Sequence, residues 1–173
     1  MAGGLRSFDL NIIAQTGFIM KEKTTNELQA ILSRTKPDQI KTYLEENRDS
    51  MYFSDRPFSE FMREQFKAKK LTQQDIFSMA GIPERYGYKL ISGEKKTVQR
   101  DIILRICIVA GFSLKDTQTA LTLYGMPVLY SKIPRDSVFI IALNQKLRNI
   151  ERVDELMEKY GFAAMTTCGA EDG

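Results

Sequence analysis

Histidine is missing from all 173 residues. That absence excludes Ser-His-Asp and Cys-His catalysis, a histidine general base, a histidine-containing zinc site and a histidine pH switch. Cysteine is almost as scarce. Cys107 and Cys168 stand far apart with no CxxC spacing, too few for an all-cysteine zinc site or a disulfide framework, so a reducing compartment is expected. No apolar run approaches the roughly 18 residues of a membrane span, so no membrane partner is expected. The stretch Leu10 to Met20 is interrupted by Asn11, Gln15 and Thr16 and lacks a small-residue cleavage site, which argues against a secretory signal. The chain also has no phosphate-binding glycine loop, no nucleophile elbow and no convincing carboxylate pair. The expectation is a protein that is not an enzyme and takes no cofactor and no metal.

What is present suits a folded chain of ordinary size. Hydrophobic residues make up 43% and charged residues 27%, enough for a packed core in one domain or one domain with an extension. The net charge of +3 is unevenly spread. Residues 1–55 carry 7 basic and 8 acidic groups, residues 56–105 carry 11 and 6, and residues 106–173 carry 7 and 8. A basic middle between near-neutral ends is the footprint of a segment that meets a polyanion, and it is also compatible with a solvated face.

The periodicity is helical throughout, and no alternating strand pattern of useful length occurs, so the fold class is all-α. Met20-Lys21-Glu22-Lys23 reads like a natural start, and residues 1–23 are expected to be a flexible extension or an appended remnant. Residues 24–55 read as an N-terminal helical leader. Thr24 and Glu27 form a capping box ahead of Leu28, Ile31 and Leu32, and a second short helix near Pro37 is expected to bury Ile40, Tyr43 and Leu44. Asn47 to Pro57 reads as a linker. Residues 56–125 are the informative part: an amphipathic helix with Phe58, Phe61, Met62 and Phe66 ends near Lys69-Lys70. Thr72 caps a second helix from Gln73 to Ala80, stopped by Gly81, and a third runs from Glu84 to Ser92, closed by Gly93. Two short helices joined by a three-residue, glycine-containing turn describe a helix-turn-helix. A strongly apolar helix is expected from Val98 to Ala110, and Ser113 with Asp116 caps another to Tyr124. Residues 126–173 form a C-terminal helical extension with helices expected at Asp136–Leu147 and Glu151–Tyr160. Val138, Phe139, Ile140 and Ile141 in a row exceed what one helix face needs; core is the default, with a subunit contact or an effector pocket as alternatives. Cys107 is read as a small core hydrophobe and Cys168 as part of a flexible tail.

These residues resemble the XRE family of bacterial, phage-repressor-like helix-turn-helix regulators. Leu71-Thr72-Gln73-Gln74-Asp75 with Ala80-Gly81-Ile82 matches the family's second helix and turn, and Leu90 to Lys96 matches its third helix and following loop. Gln99-Arg100-Asp101, Leu123-Tyr124-Gly125-Met126, Leu129-Tyr130 and Pro134-Arg135-Asp136 are similar to a Firmicutes subgroup with a helical C-terminal extension. The resemblance implies a lambda-repressor-like five-helix DNA-binding domain, a cytoplasmic homodimer that binds double-stranded DNA and controls transcription. Two positions depart from the family pattern: Pro83 stands where a capping residue is usual, and Gly87 where an aliphatic residue is usual. Since glycine costs about 1 kcal/mol against alanine in a helix, Gly87 predicts either close packing on the second helix, which is favoured, or a helix that orders fully only when bound.

Helical phase sorts the third helix independently. Gly87, Leu90 and Ile91 face inward, while Arg85, Lys89 and Ser92 face outward with Tyr86 and Tyr88 flanking that stripe. In the major groove, Arg85 is the best candidate to pair with guanine O6 and N7, and Lys89 to donate to the same acceptors. Gln73, with Gln74 beside it, is placed to meet a backbone phosphate at the start of the second helix. Lys69, Lys70, Lys95 and Lys96 would add non-specific phosphate attraction. The alternative is a protein-interaction module on the same fold, whose main partner is another protein.

Overall fold

The computed structural model describes residues 23–51 and 57–168. The expected extension at 1–23 therefore falls outside the described residues, Lys23 excepted. Among the described residues there are nine α-helices and no strand. The chain divides into two compact units, residues 1–53 and 54–173.

In the first unit, α1 (Thr25–Leu32) starts on the expected capping box: Thr24 Oγ1 accepts from Glu27 N, and Glu27 Oε2 accepts from Thr24 N. A 3-10 turn, Pro37–Gln39, leads into α2 (Ile40–Glu46). Only Tyr43 of the expected trio is buried; Ile40 is 59% and Leu44 42% exposed, and Leu32 of α1 is 49% exposed. The expectation that α2 buries Ile40 and Leu44 is thus overturned, because a seven-residue helix in so small a unit has one contact face, and Tyr43 takes it. Asn47–Ser50 is not free linker either. Asn47 is buried and donates through Nδ2 to the Tyr43 carbonyl at 2.7 Å, and Ser50 Oγ accepts from Lys23 N at 2.8 Å, so this stretch closes back on the start of the leader.

The described residues of the second unit form seven helices: α3 (Phe58–Ala68), α4 (Gln73–Ala80), α5 (Glu84–Ser92), α6 (Arg100–Val109), α7 (Leu114–Tyr124), α8 (Pro134–Asn144) and α9 (Ile150–Lys159). Their sequence explains where they stop. Thr72 and Ser113 cap α4 and α7 with their hydroxyls, and Gly81, Gly93 and Gly125 take the left-handed conformation that ends α4, α5 and α7. Helix α6 is the axis of the core. Every residue from Asp101 to Val109 is buried, with α4, α7 and α9 packed around it. Residues of α8 and α9, among them Phe139, Leu143, Val153 and Met157, belong to the same apolar cluster as Phe61, Phe77 and Leu90.

Three details differ from expectation. Helix α6 begins at Arg100, not Val98, which is 98% exposed: Thr97 N donates to the Tyr124 hydroxyl and Gln99 N to Thr97 Oγ1, holding a bend ahead of the helix. Helix α8 ends at Asn144, not Leu147, because Lys146 adopts φ 55° and Leu147 N returns to the Ala142 carbonyl. Cys168 packs half-buried against the core instead of lying in a loose tail. Cys107 is buried as expected, and burial pushes its thiol up to about 12. In the apolar run of α8, Phe139 is fully buried while Ile141 is 57% exposed at the edge of a cleft of about 650 Å³ shared with Leu156, Tyr160 and Phe162.

Candidate nucleic-acid interface

Helices α4 and α5 are joined by Gly81, Ile82 and Pro83, with Ile82 buried as the turn's anchor. Phe77 of α4 fixes how α5 lies on it. A Cβ added to Gly87 would stand 2.6 Å from the Phe77 ring, closer than real contacts allow, and the Tyr88 ring meets the same ring edge-on at 5.3 Å. Of the two readings of Gly87, close packing is the one the geometry supports: glycine is required because the α5 backbone lies directly on an aromatic face.

This packing turns Leu90 and Ile91 into the core and leaves Arg85, Tyr88 and Ser92 exposed. Arg85 makes no hydrogen bond or ion pair with another described residue, so its guanidinium is free for a ligand. Tyr88 is 43% exposed; desolvation, followed by the charge of Glu84 and a hydrogen bond to that carboxylate, raises its phenol above the ordinary value. Glu84 also accepts from Gln74 Nε2 at 3.5 Å, a long bond that links the outer edges of α4 and α5. Gln73 is half-buried at the first position of α4. Ser92 Oγ donates to the Lys89 carbonyl at 3.1 Å.

Two of the expected residues are placed differently. Tyr86 is 8% exposed and belongs to the core, four residues before Leu90 on the same side of α5, so the expectation that it flanks the outward stripe is overturned. Its ring is covered from the following loop by Lys95, whose Nζ lies 5.5 Å from the ring centre, so Lys95 is engaged with the protein as well. Lys89 is half-buried and paired with Glu94 at 2.8 Å. Any acceptor it meets must compete with that carboxylate. Lys96 and Lys70 are exposed, and Lys69 sits at the end of α3 with its ammonium over the Phe112 ring at 5.7 Å.

Behind this face lies a charged seam that periodicity alone does not reveal. The Arg-Asp dipeptides that open α6 and α8 pair crosswise: Arg100 with fully buried Asp136, and Arg135 with Asp101 through two bonds of 2.8 and 3.0 Å. Asp101 further accepts from Thr166 N at 3.0 Å, and Asp136 from Tyr130 N at 3.0 Å. Burial pushes the Asp101 carboxyl up, but the hydrogen bonds from Arg135 and Thr166 outweigh it and hold the group below the ordinary carboxylate range. Buried Arg105 donates through Nε to the Ala80 carbonyl at 2.8 Å, the last turn of α4, and reaches the Met165 carbonyl at 3.4 Å and Asp154 at 4.0 Å. The sequence signal was the repeated Arg-Asp dipeptide; its partner assignment is non-local.

Among the described residues no cluster of His, Cys, Asp or Glu could hold a metal ion, and no helix is long and apolar enough to cross a membrane. Compared with family models, curated proteins and solved structures, the chain finds no match.

Proposed function

We propose that this protein is a sequence-specific, double-stranded-DNA-binding transcriptional regulator with a lambda-repressor-like helix-turn-helix in residues 56–125, acting in the cytoplasm as a homodimer. Helix α5 would enter the major groove. The observation that carries the reading is the contact of Gly87 with the Phe77 ring, which locks α5 on α4 and leaves unpaired Arg85 outward near the start of α5. A guanidinium so placed fits the paired acceptors of guanine. Tyr88 and Ser92 line the same face, Lys89 would trade Glu94 for a base or phosphate, and Gln73, Gln74 and Lys96 would meet the backbone. Lys95, lying over Tyr86, would support the loop after α5 and touch the backbone only with its ammonium.

Selection of bound fragments from the source genome at two salt concentrations tests the reading directly. A defined duplex should emerge, bound more weakly at higher salt. Arg85→Ala should then cost about 1–3 kcal/mol of affinity and relax preference at one base pair. If Arg85→Ala and Lys89→Ala both leave affinity and preference unchanged, α5 is not the reading helix. A protein-interaction module is the second reading, supported by the exposed Leu32, Ile40 and Leu44 of the leader. A stoichiometric protein partner together with weak, sequence-indifferent DNA binding would favour it.

A further inference from the structure

A second concave site lies away from α5, where the end of α3, the α6–α7 turn and the α8–α9 turn meet. The cleft has a volume of about 370 Å³. Lys69, Lys146 and Arg148 line it, with Ser113 and Asn144 as neutral polar groups and Phe112, Leu114 and Leu143 as apolar floor. Among the described residues that line it, none is acidic. The side chains of Lys146 and Arg148 are exposed and make no ion pair with another described residue, and Lys69 has only the Phe112 ring. Asp116, the acid next along α7, is committed to Ser113, whose N and Oγ both donate to it.

Three cationic side chains line this one cleft, so their potentials add at an anion that enters it. Their mutual repulsion is unfavourable until an anion joins them. Nor are they loosely arranged. Gly111 has φ +65°, and a Cβ there would stand 2.6 Å from Arg148 Cζ, so the guanidinium rests directly on the backbone of the α6–α7 turn. Lys146 takes a left-handed backbone, φ 55°, at the end of α8, two residues before Arg148. Folding thus delivers two cations from one turn and a third from α3 to the same cleft.

We infer that this cleft binds a phosphate-bearing small molecule, with the oxyanion held by Lys69, Lys146 and Arg148 and an organic body lying on Phe112, Leu114 and Leu143. A planar guanidinium and two ammonium groups on one cleft suit a phosphate monoester or diphosphate. The volume exceeds what one phosphate needs and falls within the range of small-molecule sites, about 300–1,000 Å³. A DNA strand would also supply phosphate, but a concave cleft with half-buried Leu114 on its wall suits a ligand with a body better than a backbone passing over a surface. The site stands independently of the DNA reading.

The test uses the full chain and isothermal titration with pyrophosphate and adenosine monophosphate, against sodium chloride of matched ionic strength. One equivalent of either probe is expected to bind, and Lys146→Ala with Arg148→Ala is expected to weaken it at least tenfold. Lys132→Ala, on the separate cleft beside α8, should leave binding unchanged. Both removed side chains are exposed, so the unliganded double variant should remain folded, with a melting temperature at or above the parent's as the repulsion is relieved. Absence of probe binding overturns the inference. A probe-insensitive chain whose duplex binding loses about two from its salt slope in the double variant also overturns it, and reassigns the cations to a DNA backbone.

Discussion

Arginine does opposite work on the two sides of α4. On the α5 face, Arg85 is exposed and unpaired; on the α6 side, Arg100, Arg105 and Arg135 are each bound to carboxylates or carbonyls in a seam that is mostly buried. The residue type and its charge are the same, so a count of basic residues separates nothing. Burial and pairing do: the seam's charges are spent on holding helices together, and only the outward ones remain for a polyanion. Of the 11 basic residues in 56–105, Arg100 and Arg105 belong to the seam, and Lys89 is tied to Glu94. The basic excess of the middle segment therefore overstates the charge that an incoming ligand would feel.

The hardest test of this division is Asp136→Ala, which leaves the Arg100 guanidinium and the Tyr130 N–H without their carboxylate. A loss of about 3 kcal/mol is expected in denaturant unfolding, the low end for breaking a buried pair because the Arg100 side chain keeps 22% of its exposure. A loss under about 1 kcal/mol would mean that the seam does not brace the fold. Next comes Gly87→Ala. The overpacking penalty of about 1–3 kcal/mol against the Phe77 ring should exceed the roughly 1 kcal/mol gained in helix propensity, so the denaturation midpoint should fall. A rise would show that the ring yields.

Acid should act on the seam and spare the α5 face. The native pKa of Asp101 is depressed, so its contribution is fully present above the unfolded value of about 3.9 and is lost as pH falls through the lower native value. Stability measured from pH 7 downward should begin to drop near pH 4 to 5, and Asp101→Asn should be less stable at neutral pH with a shallower decline. An identical acid profile in that variant would remove Asp101 from the account. The smallest effects lie outside. Arg85→Ala should change stability by less than about 0.5 kcal/mol, and Glu94→Gln, which frees Lys89, should cost under about 1 kcal/mol while strengthening duplex binding at low salt. If Glu94→Gln weakens binding, the Lys89 pair positions the loop instead of competing with the ligand.

Legibility in the sequence followed the same division. Helices α4, α5 and α7 end where expected because their punctuation is local: Thr72, Ser113 and left-handed glycines are readable one residue at a time. The end of α8 is not, since Lys146 occupies the left-handed position that usually signals itself with glycine. Val98 looks like the first apolar residue of α6, but the hydroxyl of Tyr124 holds the residues ahead of Arg100 out of the helix. At the candidate interface, phase placed Gly87, Leu90 and Ile91 inward and Arg85 outward, yet Tyr86 sits near the boundary between faces, where covering by Lys95 from the next loop is invisible to periodicity. The Arg-Asp dipeptides at 100–101 and 135–136 were visible; their crossed pairing across 34 and 36 positions was not.

Arg105 has a consequence for how the chain can be made. Its guanidinium meets the Ala80 carbonyl 25 positions earlier and the Met165 carbonyl 60 positions later, and Asp101 waits for Thr166 across 65. During synthesis, α4 and α5 can collapse on α6 long before those later residues emerge. Until then Arg105 and Asp101 lack the partners that Arg135, Met165 and Thr166 supply in the finished fold. The segment around residue 165 thus supplies the last hydrogen bonds that the middle of the protein needs for its buried charges.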